Sequence, residues 1–315
     1  MPYLKQGDPP MTQPRAGFSA ERSAGYYLYL LPGVLGFLVI VAVPFVMNIG
    51  ISFTTWKGVG LPRFVGWLNY QKLFQDGAFW GSLGHTVDFV VAMAVVPTAI
   101  SLILAALLFD YISARFGRGL SSFFRAGFYL PQILPISAAG VLWGWILNPF
   151  GVLNAILDSM GLHGLANNWL GDPGLAIFSL MAVLIWLQIG YSLVVFMAGL
   201  ARVDPSLYEA AELDGAGWIQ RFWFITIAML RPEIFVVGLT TTIAALKVFA
   251  PVFVLTNGGP DNATIVPSYI SYYHFFSTNR VGYGAAIATA QTLLILVLGI
   301  IFLRVQTRQT DEGAS

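Results

Sequence analysis

A short charged stretch stands out in a chain whose Asp, Glu, Lys and Arg residues make up only 10% of the total. Glu209, Glu212 and Asp214 lie close together in it, and Arg221 and Arg231 follow. Charged groups are costly in apolar surroundings unless they meet water, a counter-charge or another protein. The stretch is therefore the first candidate for a functional surface.

The residues around these charges predict a short helix. In VDPSLYEAAELDGAG, Asp204 is a suitable N-cap residue, Pro205 suits the first turn, and Gly215 suits the end. One face carries mostly small side chains at helical spacing: Leu207, Ala210, Ala211 and Asp214. A helix lying on lipid headgroups would favour large apolar residues and basic flanks, whereas this one is acidic. A docking helix for a protein partner fits the pattern better.

A second set of polar residues lies within apolar segments. Lys247 is a candidate for a cation that lines a solute pathway, and a lysine that snorkels or pairs with a neighbouring subunit is the alternative. Gln188 and Tyr191, one turn apart, have the types to hydrogen-bond a solute or simply to bond another helix. Together with Phe249 they form the predicted substrate pathway. His85 and Asp88 are explained by solvation at the membrane interface more simply than by a proton relay.

Signatures of catalysis are missing from the sequence. It contains no His-Glu-x-x-His, no Gly-x-Ser-x-Gly and no Gly-x-x-x-x-Gly-Lys-Ser/Thr motif, and its three histidines are far apart. The absence of cysteine excludes disulfides and thiolate metal sites. We therefore expect no enzymatic activity, no metal site and no nucleotide-binding site in this chain.

The composition is that of a membrane protein. Hydrophobic residues make up 57% of the 315 positions, and the mean hydropathy is +0.73. A soluble domain has roughly a quarter of its residues charged, so the chain has too little polar surface to cover a water-soluble fold. The net charge of +1 gives no indication of a nucleic-acid partner.

The elements that position these residues are predicted to be six transmembrane helices in an all-α integral membrane protein. Crossing a bilayer takes about 20 apolar residues, and six segments qualify: 27–53, 83–109, 126–147, 175–200, 234–256 and 284–303. The first is too long for a signal peptide and has no small-x-small cleavage site, so we predict a retained helix. Pro131 and Pro135, one turn apart in the third segment, indicate either helix shaping for packing or a break beside a cavity.

The basic residues predict the orientation. With the N-terminus inside, eleven lysines and arginines lie on the cytoplasmic side, against four outside: Lys57, Arg63, Lys72 and Arg280. Both termini and the docking helix are then cytoplasmic. The predicted organisation is a flexible leader at 1–26, a permease domain at 27–305 that includes a cytoplasmic loop at 201–232, and a tail at 306–315.

The docking segment resembles the EAA loop of bacterial ABC importer permeases. That motif reads Glu-Ala-Ala-x-x-Asp-Gly-Ala, and it is matched here by Glu209, Ala210, Ala211, Asp214, Gly215 and Ala216. Ala228 departs from it, because the family usually has proline there. The loop would then carry a coupling helix for an ATPase.

Two further stretches are similar to the carbohydrate-type importers, the maltose and glycerol-3-phosphate permease group. They are YLPQILPISAAGVLWGWILNPFGVLN (129–154) and VFVLTNGGPDNAT (252–264). The second contains the outer-end loop motif, Thr256, Gly258, Gly259 and Pro260. Ala250 stands where many relatives carry an acidic residue, so no role of that carboxylate carries over.

The resemblance implies a permease subunit of a binding-protein-dependent importer in the bacterial inner membrane. Its partners would be a second, similar permease, two ATPase subunits that bind ATP and Mg, and an external solute-binding protein or lipoprotein. The solute would be a sugar, a polyol or a glycerol phosphate ester. A secondary transporter would need coupling-ion sites and usually an inverted repeat, and a membrane enzyme would need a catalytic cluster; the sequence displays none of these.

Overall fold

The computed structural model describes residues 20–312, and in that range the protein is almost entirely helical. The predicted leader lies outside the described residues as far as residue 19, and so do the last three residues of the predicted tail. The helices are α1 (Ala20–Phe37), α2 (Val43–Ser52), α3 (Leu68–Gln75), α4 (Gly77–Val90), α5 (Val96–Leu107), α6 (Ser113–Ile133), α7 (Ile136–Ile146), α8 (Val152–Ser159), α9 (Pro173–Leu200), α10 (Pro205–Leu213), α11 (Trp218–Arg221), α12 (Ile227–Met229), α13 (Arg231–Leu246), α14 (Ala250–Leu255), α15 (Pro267–Phe276) and α16 (Val281–Glu312). Two short strands, β1 (Thr54–Thr55) and β2 (Arg63–Phe64), pair antiparallel.

The chain divides after Asn48 into two compact units. The described part of the first unit is α1, a wide π-helical turn at Leu38–Ala42 and the beginning of α2. Together with the rest of α2, this continuous run of helix covers the predicted first span from residue 27 to Ser52. The second unit holds every other element and all the candidate site residues.

Within the part of the chain that the structure describes, four helical stretches are long and apolar enough to cross a membrane: Tyr29–Ser52, Gly77–Tyr111, Pro173–Leu200 and Val281–Val305. Two further stretches qualify as pairs of helices that meet at a sharp bend. Gly119–Ile133 meets Ile136–Ile146 at 97°, and Trp218–Met229 meets Arg231–Leu246 at 69°. Counting each bent pair as one span gives six, the number predicted from the sequence; the first helix of the second pair, however, lies within the predicted loop at 201–232.

The prolines account for several irregularities in the helices. π-Helical turns at Leu38–Ala42 and Val91–Val95 each end two residues before a proline, Pro44 and Pro97. Proline has no N–H and its ring crowds the carbonyl one turn earlier, and a wider turn relieves that crowding. The helices therefore continue past these two prolines.

The third span is broken, as one of the two readings of its proline pair allowed. Helix α6 ends at Ile133 and α7 begins at Ile136, with Pro135 as its N-cap residue. A cavity of about 320 Å³ lies beside the break, lined by Phe128, Pro131 and Trp186 among others. The reading of a break beside a cavity is therefore the one that the structure supports, and the two helices together make up the predicted third span; Pro135 has no N–H to continue the hydrogen bonding of α6.

The fifth span also differs from the prediction. Helix α13 ends at Leu246 and α14 begins at Ala250, so Lys247 lies in a break rather than inside a continuous helix over 234–256. Pro251 in the first turn of α14 explains the interruption. The freed carbonyl of Leu246 accepts a hydrogen bond from Gln291 Nε2 on α16 at 2.6 Å, and the carbonyl of Val248 accepts one from the Ser268 hydroxyl. Neighbouring helices thus satisfy the broken backbone, as they must at membrane depth.

Helix α9 lies at the centre of the helical packing. Leu193 and Phe196 are fully buried and pack with Leu102 and Ala105 of α5. On another face, Gly190 allows the backbone of α6 to come very close, because an added Cβ would lie 2.3 Å from the carbonyl oxygen of Phe128. The docking helix follows α9 directly, and α9 therefore fixes its starting point.

Candidate functional site

The predicted docking helix is present as α10, and it is capped at both ends. The Asp204 carboxylate accepts a hydrogen bond from the Ser206 N–H at 2.9 Å, and this interaction lowers the pKa of Asp204. At the other end Gly215 adopts a φ of +83°, a left-handed conformation that glycine adopts readily. The N–H groups of Gly215 and Ala216 bond the carbonyls of Glu212 and Ala211, which is a Schellman ending. The helix boundaries predicted from the sequence are confirmed.

The outward side of α10 is uncovered. Glu209, Ala210, Asp214 and Gly215 are exposed, while Ala211 and Ala216 are half-buried. Leu213 is 89% exposed, so its apolar side chain is almost entirely uncovered. Among the side chains that the structure describes, none forms an ion pair with Glu209. The side of α10 that carries the EAA residues is thus available to another protein.

The inward side of α10 is tied to the segment that follows it. Tyr208 Oη and Thr226 Oγ1 are 3.0 Å apart, and Arg221 Nη1 donates to Glu212 Oε2 at 2.7 Å. Burial raises the pKa of the Tyr208 hydroxyl above its ordinary value. These contacts fold the predicted loop 201–232 back on itself into a compact unit.

This unit also contacts the end of the second span. The Trp218 indole N–H donates to Asp110 Oδ2 at 3.0 Å, and its ring stacks on Phe222 with the centroids 5.4 Å apart. Sequence reasoning missed Asp110, Tyr208 and Trp218. A carboxylate at the end of a long apolar run was a signal for Asp110, but its partner lies 108 positions away and no local pattern could identify it.

The two ends of the loop are joined as well. Arg202, after α9, forms an ion pair with Glu233 in the first turn of α13. Gly199 lies at the same junction, where an added Cβ would come within 2.5 Å of Leu230 and 3.0 Å of Glu233. Helices α9 and α13 therefore leave the loop from a closely packed common base.

The predicted pathway residues are only partly brought together. Tyr191 Oη lies 3.2 Å from Thr240 Oγ1 on α13, and Lys247 is exposed where α13 ends, about 10 Å further along the helix. Gln188 is buried within α9. The structure thus favours a packing role for Gln188 and leaves Tyr191 and Lys247 as pathway candidates.

Phe249 belongs to an aromatic cluster beside Lys247. Its ring stacks on Phe253 with the centroids 5.4 Å apart, and Tyr272 lies 5.1 Å from Phe249 and 5.2 Å from Phe253. Phe276 extends the cluster at 5.0 Å from Tyr272. An aromatic cluster that follows a cation in the chain is suited to a ligand with both apolar ring faces and polar edges.

The outer-end loop motif forms a compact turn. The Thr256 and Thr264 hydroxyls are 2.7 Å apart, and Thr264 Oγ1 donates to the Gly259 carbonyl at 2.9 Å. Gly258 has a φ of +81°, and an added Cβ would lie 2.6 Å from the Tyr269 ring. The peptide between Gly259 and Pro260 is cis. The motif is therefore explained by the geometry of the turn itself.

The described residues thus form an all-α membrane bundle with broken spans and a capped, uncovered helix between two of them. Residues 103–311 match the family described as binding-protein-dependent transport system inner membrane component, and the chain belongs to that family. It is thus a multi-pass protein of the inner membrane. The resemblance drawn from the sequence is confirmed at this level.

Individual relatives are similar over most of their length. The probable ABC transporter permease protein YurN of Bacillus subtilis (strain 168) is 35% identical, over 88% of this chain and 94% of the relative. The probable starch degradation products transport system permease protein AmyD of Thermoanaerobacterium thermosulfurigenes is 32% identical over 88% and 91%. The lactose transport system permease protein LacF of Rhizobium radiobacter is 31% identical over 92% and 96%.

The fold has also been seen in a solved structure. A chain of a bacterial ABC transporter involved in the import of the acidic polysaccharide alginate superimposes with a TM-score of 0.78 and 23% identity, covering 91% of this chain and 96% of that one. The two chains therefore share the same overall fold.

Proposed function

We propose that this chain forms half of the translocation pathway of an ABC importer for a sugar or a sugar-like solute. Membership of the permease family supports the importer class. The solute class is supported by relatives such as AmyD and LacF, whose names refer to starch degradation products and lactose. The alternative, an ion-coupled secondary transporter, has no support from either comparison.

The coupling helix α10 carries the link to ATP hydrolysis in this proposal. ATP and Mg bind to two separate ATPase subunits, each of which grips one coupling helix; this chain needs no nucleotide site of its own. Glu209, Ala210 and Leu213 are the exposed groups that an ATPase groove would cover. The observation that carries the proposal is that α10 is capped at both ends yet uncovered on the side bearing the EAA residues.

Movement of α10 then reaches the spans through its contacts on the inward side. The chain joins α10 directly to α9 and, by way of α11 and α12, to α13. The hydrogen bond from Trp218 to Asp110 adds the end of the second span. ATP binding closes the ATPase dimer and displaces α10, and the attached spans rock between inward-open and outward-open states.

The solute passes the surface formed by Tyr191, Thr240, Lys247 and the aromatic cluster around Phe249. Sugar rings stack on aromatic faces, while their hydroxyls need hydrogen bonds from groups such as the Tyr191 and Thr240 hydroxyls. The Lys247 ammonium also suits an anionic ester. A second, similar permease completes the passage, an external solute-binding protein delivers the solute, and both termini of this chain are cytoplasmic.

The test combines purification with one charge reversal. The tagged chain, solubilised gently from its native membrane, is expected to copurify with an ATPase, a second permease and a solute-binding protein. Glu209→Lys is expected to lower uptake at least tenfold at normal membrane levels, since it places a cation where the ATPase docks. Asp158→Lys, an exposed reversal in the last turn of α8, is the matched control and should leave uptake unchanged.

Unchanged uptake in Glu209→Lys would refute docking through α10. Purification of the chain alone, under conditions that preserve other importers, would refute the importer itself.

A further inference from the structure

A large polar cavity lies at the end of the molecule opposite the coupling helix. It has a volume of about 820 Å³ and is lined by residues from β1, α3 and the segment joining α15 to α16. Its Asp76 directly precedes the second span, a stretch of 35 residues whose far end holds Asp110, the partner of Trp218. That helical length corresponds to about 50 Å. The cavity is therefore remote from the ATPase side.

The lining of this cavity is strongly cationic. Lys57, Lys72 and Arg280 all line it and are exposed, and none forms an ion pair within the described part of the chain. They are three of the four basic residues predicted to face outward. The single carboxylate, Asp76, already accepts hydrogen bonds from Tyr283 Oη at 2.6 Å and from the Ala78 N–H at 2.9 Å. Positive charge thus remains available in the cavity for an anionic ligand.

The shape and chemistry of the cavity narrow the ligand class. A phospholipid needs an apolar groove for its acyl chains, but no leucine, isoleucine, valine or phenylalanine is among the residues that line the cavity. A single phosphate is far smaller than the available space. The three cations also come from separate segments of the chain, which suits several carboxylates spread over a protein surface.

We propose that this cavity receives acidic side chains of the external solute-binding protein when it docks on the permease. The inference rests on the proposed function and adds to it the place and the charge complementarity of the docking. Thr55 and Asn279, at the rim, supply further exposed polar groups for such an interface. Electrostatic attraction of this kind mainly speeds association, so docking should be sensitive to salt.

The test uses the whole importer in lipid nanodiscs together with the solute-binding protein that copurifies with it. The triple variant Lys57→Glu, Lys72→Glu, Arg280→Glu is compared with wild type in its Kd for that protein, at low and at high salt. We expect the Kd to rise roughly tenfold or more at low salt, with a smaller difference at high salt. Basal ATPase activity should stay at the wild-type level, because the cavity is remote from α10.

Arg63→Glu provides the matched control. Arg63 is the fourth outward basic residue, it is exposed on β2, and it does not line the cavity. Its Kd should stay within about twofold of wild type. An equal loss in Arg63→Glu and in the triple variant would overturn the proposal, since it would show a general charge effect. An unchanged Kd in the triple variant would also overturn it. If that variant lost copurifying anionic lipid at the same time, the occupant would be a lipid.

Failure of the proposed function gives a different result. In that case the wild-type complex itself would neither hydrolyse ATP nor bind a solute-binding protein. If the wild-type complex is active and the triple variant binds the solute-binding protein with an unchanged Kd, only the docking site is overturned.

Discussion

Gly190 sets how closely α6 and α9 approach each other. Beyond the short distance to the Phe128 carbonyl, an added Cβ would lie 2.7 Å from Tyr129 Cα, so backbone rather than a flexible side chain blocks it. A larger residue must push α6, the first half of the broken third span, away from α9. Small residues at the interfaces of membrane helices allow this close approach of backbones.

Gly190→Ala is therefore expected to destabilise the folded chain by about 1–3 kcal/mol, the usual cost of overpacking. Gly84→Ala is the control, because an added Cβ at Gly84 meets nothing within 4 Å. It should be neutral or stabilising by about 0.5–1 kcal/mol, since alanine favours a helix over glycine. Thermal unfolding of the purified protein in detergent measures both. Equal stabilities of the two variants would show that α6 moves away from α9 without a measurable loss of folding free energy.

Among the elements, the segment after the coupling helix is joined to the end of the second span by the Trp218–Asp110 hydrogen bond and by a ring contact between Trp218 and Tyr111. Trp218→Phe removes the indole N–H but keeps an aromatic ring to stack on Phe222. The half-buried Asp110 carboxylate then loses a donor, and an unsatisfied charged group of this kind is costly. Movement of α10 should reach the second span less effectively.

We expect Trp218→Phe to lower solute-stimulated ATPase activity roughly tenfold, as a loss of about 1.4 kcal/mol would. The ATPase should still copurify, because the outward side of α10 is unchanged. Trp145→Phe, at a position 73% exposed, serves as the matched control and should behave as wild type. Asp110→Asn keeps an oxygen that can accept the Trp218 hydrogen bond, so it should lower the stimulated ATPase activity less than Trp218→Phe does. Loss of the copurifying ATPase in Trp218→Phe would instead mean that Trp218 maintains the docking surface.

The elements also show how far local sequence determines this fold. Helix α10 was predictable because Asp204, Pro205 and Gly215 act on the residues next to them. The break at Lys247 was not predicted, because its stability depends on Gln291 and Ser268 of other helices. The same holds for the partners of Asp110 and Tyr208. Lipid and protein interiors are similarly apolar, so hydropathy locates spans well but says little about which side chains meet.

At the scale of the whole molecule, the coupling helix and the cationic cavity must lie on opposite sides of the membrane. The chain has no cysteine, so a single introduced cysteine is the sole thiol that a maleimide can label. Leu61, between β1 and β2, is 95% exposed, and Leu213 on α10 is 89% exposed. These two positions report the two sides.

A membrane-impermeant maleimide should label Leu61→Cys in intact spheroplasts and leave Leu213→Cys unlabelled. Inside-out vesicles should reverse the pattern, and the copurified ATPase, when co-expressed, should protect Leu213→Cys. Labelling of both positions from the same side would contradict the orientation inferred from the basic residues.

The short length of the coupling helix has a consequence for the assembly of the importer. Nine residues are too few for a stable helix in water, where about 12 to 15 are marginal. Its shape is supplied by its caps, by Thr226 and Arg221, and through Trp218 by the second span. In a nascent or misfolded chain these supports are missing and α10 has no fixed form. On the proposed docking, an ATPase can recognise only a permease whose distant spans have already come together, so its recruitment acts as a checkpoint on folding.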